Sequence, residues 1–108
     1  MIDKNLQRKI DTSNLMNTNG RVLRTLNVLK GDRQRLKSLE YAFNDIDHYQ
    51  LLDSVSYLHK SGYIQLTDTI TKNETTLDNS NFNDIQVSLT STGIKLLCGV
   101  IQDDCVEV

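Results

Sequence analysis

The sequence predicts a small α+β domain: a three-helix core, then a β-hairpin, then a short C-terminal helix. Three observations predict it. Apolar residues recur at helical spacing up to Gly62 and at every second position beyond it. Two of the helical segments are separated by a turn of about three residues, which sets them as neighbours across a short corner. The 108 residues, 38% of them hydrophobic, suffice for one modest core.

Residues 1–18 are polar, and Ile2, Leu6 and Ile10 at a four-residue spacing predict a short amphipathic helix ending at the breaker-rich DTSN. The first firm helix is expected over NGRVLRTLNVLKG, residues 19–31, with Asn19 as N-cap and Gly31 as a left-handed stop. Its buried face is Val22, Leu23, Leu26 and Leu29, widened by Val28. The next segment, DRQRLKSLEYAFND, admits two readings. Either Asp32 caps a helix reaching Asn44, or residues 35–37 form a short strand and Ser38 caps a helix of about two turns. The second is preferred, because it places Leu39, Ala42 and Phe43 on one side.

The third helix, residues 48–61, is the best delimited. Asp47 is the expected N-cap, Gln50 the reciprocal member of a capping box, and Ile46 with Leu51 a hydrophobic staple. Leu51, Leu52, Val55 and Leu58 form the buried stripe, and Gly62 ends the helix. With the helix before it, this makes a helix-turn-helix outline. YIQLTDTI and DIQVSLT then alternate, with Ile64 and Leu66 on one face and Ile85, Val87 and Leu89 on the other strand's matching face. Between them TKNETTLDNSNFN reads as a long hairpin tip. STGIKLLCG predicts a short helix presenting Ile94, Leu97 and Cys98, followed by the tail VIQDDCVEV.

No apolar run approaches the roughly 20 residues a bilayer requires, and MIDKNLQRKI lacks the apolar block of a signal peptide, so a cytoplasmic protein is expected. Cys98 and Cys105 fit that compartment. With only His48 and His59 as helpers, their spacing matches no usual zinc cluster, so neither metal nor cofactor is expected. No nucleophile, base and orienting acid stand out as a set, and Gly-rich phosphate loops are absent, so catalysis is not expected.

The net charge of −2 is unevenly placed. Residues 1–40 hold nine Lys/Arg against four Asp/Glu, a net of +5, and residues 41–108 hold three against ten, a net of −7. Such a split can present one cationic face on an acidic protein. With the apolar stripe of the third helix turned inward, Tyr49, Gln50, Asp53, Tyr57 and Lys60 face outward, with Ser54, Ser56 and Ser61 beside them.

Two stretches carry a family resemblance. SVSYLHKSGYIQL resembles the junction in which a recognition helix ends in a leucine, two polar residues, a glycine and an apolar strand. LTSTGIKLLCG resembles the piece that follows the hairpin in many bacterial regulators, with Leu-Thr at a strand end, a glycine in the next turn and a leucine pair docking on the core. In this order they resemble the winged helix-turn-helix family over residues 19–99, in the style of small phage and prophage proteins. That leaves residues 1–18 as an arm and 100–108 as a tail.

The resemblance implies a DNA-binding transcriptional regulator, often a homodimer, with the third helix in the major groove of double-stranded DNA and the hairpin as a wing. Tyr49, Gln50, Ser54, Tyr57 and Lys60 would then face base edges, and Arg33, Arg35 and Lys37, extended by Arg21 and Arg24, would face the backbone. The third helix carries no arginine, Asp53 repels phosphate, and the wing's Lys72 is opposed by Asp68, Glu74 and Asp78. Weak or partner-assisted DNA binding is therefore expected, with a protein-interaction adaptor that binds no DNA as the alternative. The charge on the folded surface discriminates: a continuous basic strip across the third helix supports DNA, and an acidic face supports a protein partner. A homodimer is expected through the apolar residues of the arm and tail, among them Ile2, Leu6, Ile10, Val100, Ile101, Val106 and Val108.

Overall fold

One helix, α1 (Lys4–Val28), runs unbroken through the DTSN stretch and through Asn19 in the computed structural model, which describes residues 4–29 and 33–108. The expected break is absent, and two of the polar side chains there find partners compatible with a helix. Gln7 Nε2 donates to Asp11 Oδ1 at 2.9 Å, and Thr12 Oγ1 donates to the Arg8 carbonyl at 2.8 Å. Asn19 caps nothing. It lies fully buried in mid-helix, donating from Nδ2 to the Cys105 carbonyl at 2.8 Å and accepting at Oδ1 from Ser54 Oγ at 2.6 Å.

Val22, Leu23 and Leu26 are buried as expected, whereas Leu29 is exposed and Val28 is 82% exposed. The expected Gly31 stop and Asp32 cap, like Ile2, lie outside the described residues. At 3.6 residues per turn, Leu6 and Ile10 sit roughly 160° around the axis from Leu26, so the apolar side of α1 changes between its two halves. Both are exposed.

After α1 come β1 (Gln34–Arg35), α2 (Leu36–Ala42), α3 (His48–Lys60), β2 (Ile64–Asp68), a single 3-10 turn (Phe82–Asp84), β3 (Ile85–Leu89) and α4 (Ser91–Leu97). The described residues are thus α+β, with four helices and one three-stranded antiparallel sheet in the order β1-β3-β2. The strand-then-helix reading of residues 32–45 holds in kind but shifts in place. Arg35, not Ser38, stands at the start of α2 without a side-chain cap, and Ser38 lies inside the helix. Leu36, Leu39 and Phe43 are buried there, while Ala42 is exposed.

Gly62, at φ 81°, turns the chain from α3 into β2 in the left-handed region that glycine adopts at little cost. Leu66 pairs with Val87 and Ile64 with Leu89, so Ile64, Leu66, Ile85 and Val87 cover the inner face with Val55 and Leu58 of α3 in one core. Thr90 Oγ1 accepts from Gly93 N at 3.1 Å and donates to the Gly62 carbonyl at 2.6 Å, tying the start of α4 to the end of α3. That cap sets the phase of α4. Gly93 and Leu96 are buried, whereas the expected Ile94 and Cys98 are exposed and Leu97 is half-buried.

The segment after β2 does not extend as a free tip. Asp68 Oδ1 accepts from Ile70 N and Thr71 N, Ser80 Oγ donates to Asp68 Oδ2 at 2.6 Å, and Thr75 N donates to the Leu66 carbonyl. Folded back in this way, the segment brings Leu77 and Phe82 against the core.

The tail is stitched to the body. Val106 is buried, Glu107 N donates to the Met16 carbonyl, and Asp103 Oδ2 accepts from the Tyr57 and Tyr63 hydroxyls at 2.6 and 2.7 Å. Burial pushes the Asp103 carboxyl up, and the hydrogen bonds from the two phenols and the Cys105 N–H together outweigh it and hold the group below its ordinary 3.8. Burial and the bonds to Asp103 raise both phenols, Tyr63 to about 12. A lowered carboxyl contributes stability above 3.8 that is lost as pH falls through its folded value. A raised phenol contributes stability below 10.0 that is lost as pH rises toward about 12. Urea unfolding across pH should therefore show losses at both ends. Tyr63→Phe should flatten the alkaline one, and an unchanged alkaline limb would reject the clamp. Among the described residues no helix is long and apolar enough to cross a membrane.

Candidate interaction face on helix α3

The orientation of α3 is set at its first turn, where Asp47 accepts from Tyr49 N at 2.6 Å and from Gln50 N at 3.3 Å. The Gln50 side chain does not complete a capping box. Its Nε2 donates instead to Thr18 Oγ1 of α1 at 3.1 Å. The buried side is Leu51, Ser54, Val55 and Leu58. Ser54, expected to face outward, is wholly inside, and Leu52, expected in the buried stripe, is half-buried at a cleft beneath the folded-back segment. Tyr57 points its hydroxyl at Asp103.

Of the five expected base-facing residues, Tyr49 and Lys60 alone are exposed, Tyr49 by 73%. The outward stripe that remains is Tyr49, Asp53, Ser56 and Lys60, at i, i+4, i+7 and i+11.

Acids flank this stripe on both sides. A cleft of about 420 Å³ between α1 and the start of α3 is lined by Asp11, Asp47, Tyr49 and Asp53. A second, of about 330 Å³, lies between α3 and the folded-back segment and carries Asp53 and Asp78 at Leu52, Leu77 and Phe82. His48 does not offset them, because its Nδ1 is paired with Glu40 and its ring packs edge-on to Phe82 at 5.1 Å.

The basic residues lie elsewhere. Arg21 forms two hydrogen bonds with Asp45 at 2.9 and 3.0 Å, which raise its own pKa and hold Asp45 below the usual carboxylate range. Arg24 donates to the Glu107 carbonyl at 2.6 Å. Both arginines expected to extend a cationic surface are thus engaged within the chain. Arg33, Arg35 and Lys37 are exposed around β1 and the start of α2. Lys4, Arg8 and Lys9 lie at the other end of α1, with Arg8 about 30 Å along the helix from Val28 at 1.5 Å per residue. Among the described residues the exposed lysines and arginines of the first 40 positions are thus divided by the length of α1, and none lines either cleft beside α3.

Among the described residues no cluster of His, Cys, Asp and Glu could hold a metal ion, and both cysteines are free thiols. No family model matches the chain, and no curated protein or solved structure matches it.

Proposed function

We propose that this chain is a protein-binding module on a winged-helix scaffold, engaging its partner through the outward face of α3. The observation that carries this reading is the charge of that face. Asp11, Asp47 and Asp53 line one cleft together with Tyr49, Asp53 and Asp78 line the next, and among the described residues Lys60 is the exposed lysine of the helix. Duplex DNA carries one negative charge per roughly 1.7 Å of axis, so the acids beside the first half of α3 would repel it where the helix would have to enter a groove. An exposed tyrosine at the edge of a cleft is the type of anchor that dominates protein interfaces.

A photo-crosslinking residue at Tyr49, compared with one at Lys95 on α4, tests the reading in cells. A discrete protein adduct at position 49 alone is expected. Equal adducts at both positions, or none at 49, would reject it.

A second reading, DNA binding, is favoured by one observation: Arg33, Arg35 and Lys37 are all exposed, and none has a salt-bridge partner among the described residues. Binding through them would be weak, salt-sensitive and indifferent to sequence. Neutralising one such contact should reduce the slope of log affinity against log salt by about one unit. The protein-binding reading expects no salt-sensitive DNA binding at all, and a titration on random duplex separates the two.

We propose twofold pairing only through what the tail leaves uncovered, Leu6, Ile10, Val100 and Val108, since Val106 is buried and Ile101 half-buried on their own chain. Light scattering at high micromolar concentration should give a doubled mass, and a monomer mass would end that proposal.

A further inference from the structure

We infer that the cleft between α3 and the folded-back segment receives a partner segment carrying a bulky apolar side chain flanked by lysine or arginine. This rests on the protein-binding reading and specifies its chemistry.

The floor of the cleft is apolar. Leu52 of α3 meets Leu77 and Phe82, and all three are only half-buried, so the chain's own side chains do not complete the packing. A volume of about 330 Å³ admits one large aliphatic or aromatic side chain together with part of its backbone. The segment is held in place by the Asp68 bonds to residues 70, 71 and 80, and by the seat of the Phe82 ring against His48. The floor is therefore present before anything binds.

Its rim is charged and unengaged. Several carboxylates elsewhere have internal work: Asp45 holds Arg21, Glu40 holds His48, Asp47 caps α3, Asp68 holds the folded-back segment and Asp103 clamps the tail. Asp53 and Asp78 stand at the cleft from two different elements, and neither has a side-chain hydrogen bond or ion pair among the described residues. Two free carboxylates beside an apolar floor complement a side chain with a hydrophobic body and cationic neighbours, whose aliphatic stems can lie on the rim while their heads reach the acids. The exposed Tyr49 ring next to Asp53 offers a further surface for a cation. An anionic ligand, including phosphate, meets repulsion here.

The probe is a fluorescent peptide of alternating lysine and leucine pairs, titrated by anisotropy into the full chain. Comparison peptides carry glutamate in place of lysine, or serine in place of leucine. The lysine-leucine peptide should bind, with affinity falling as salt rises, and the glutamate form should not. The lysine-serine form should bind at least about tenfold more weakly, as expected for one lost apolar anchor. Asp53→Asn with Asp78→Asn should weaken lysine-leucine binding about tenfold, two rim ion pairs' worth. These exposed changes should leave the melting temperature in place, and Leu77→Ser should weaken binding in both salt regimes. Equal binding of the glutamate peptide, or no effect of the double neutralisation, overturns the inference. A partner adduct at position 49 that forms equally with the lysine-leucine peptide present in excess during irradiation would also overturn it, while leaving the broader reading intact. Absence of any adduct at Tyr49 would remove the broader reading itself.

Discussion

Gly20→Ala lowers stability by about 2–4 kcal/mol and exposes residues 103–107 to protease, although alanine is the better helix former. In isolation the change should gain about 0.5–1 kcal/mol. Gly20 is buried in mid-helix, however, because the tail crosses α1 there. A methyl group would overlap the Glu107 carbonyl oxygen and come within 2.8 Å of its carbon. Backbone cannot swing aside as a long side chain can, so the tail must lift. Lifting it uncovers Val106, a loss of about 1.5–3 kcal/mol. It also breaks the Asn19 and Arg24 bonds to the tail, each worth about 0.5–1.5 kcal/mol. Urea unfolding with limited proteolysis measures both effects, and a variant as stable as wild type with a protected tail would show that the crossing is misplaced.

Asn19→Ala should cost about 2–4 kcal/mol, a large share of what a domain of this size has. The amide joins three elements, donating to Cys105 of the tail and accepting from Ser54 of α3 while sitting in α1. Its removal strands a buried hydroxyl and a carbonyl and leaves a small void. Ser54 can recover part of the loss by bonding back to its own helix. The double change Asn19→Ala with Ser54→Ala should therefore cost less than the sum of the two singles, by about 0.5–3 kcal/mol. Strict additivity in thermal unfolding would mean that the two side chains do not meet.

Much of the fold is legible in the sequence where one signal acts alone. The Asp47 cap, the Gly62 turn and the alternation of residues 64–66 and 85–87 are local features, and local chemistry decides them. Helix α1 is misread because its polar residues resemble an N-cap, and only tertiary partners separated by 35 and 86 positions make Asn19 an interior residue. One clue was present: Asn19 precedes Val22, Leu23 and Leu26 at helical spacing, and Ser54 completes an i, i+3, i+4, i+7 set with Leu51, Val55 and Leu58. Polar residues at inward positions pair with each other when buried. For the candidate face, the sequence foretells its acidity through Asp53 and Asp78 and the exposure of Tyr49 and Lys60. The inward turn of Ser54, Gln50 and Tyr57 depends on α1 and the tail, which local pattern does not contain.

The bond from Asn19 to Cys105 also sets an order in time. Synthesis proceeds at about 5–20 residues per second, so roughly 4–17 s separate the emergence of the two residues from the ribosome. Once Ser54 has followed, 35 residues after Asn19, α1 and α3 can meet, yet the Asn19 amide has only Ser54 and water to satisfy it, and the groove over Gly20 stands open. The nascent domain must therefore wait in a looser, hydrated form and lock only when residues 103–107 arrive. A ribosome stalled before that point would hold a chain with its helices formed and its seam unclosed.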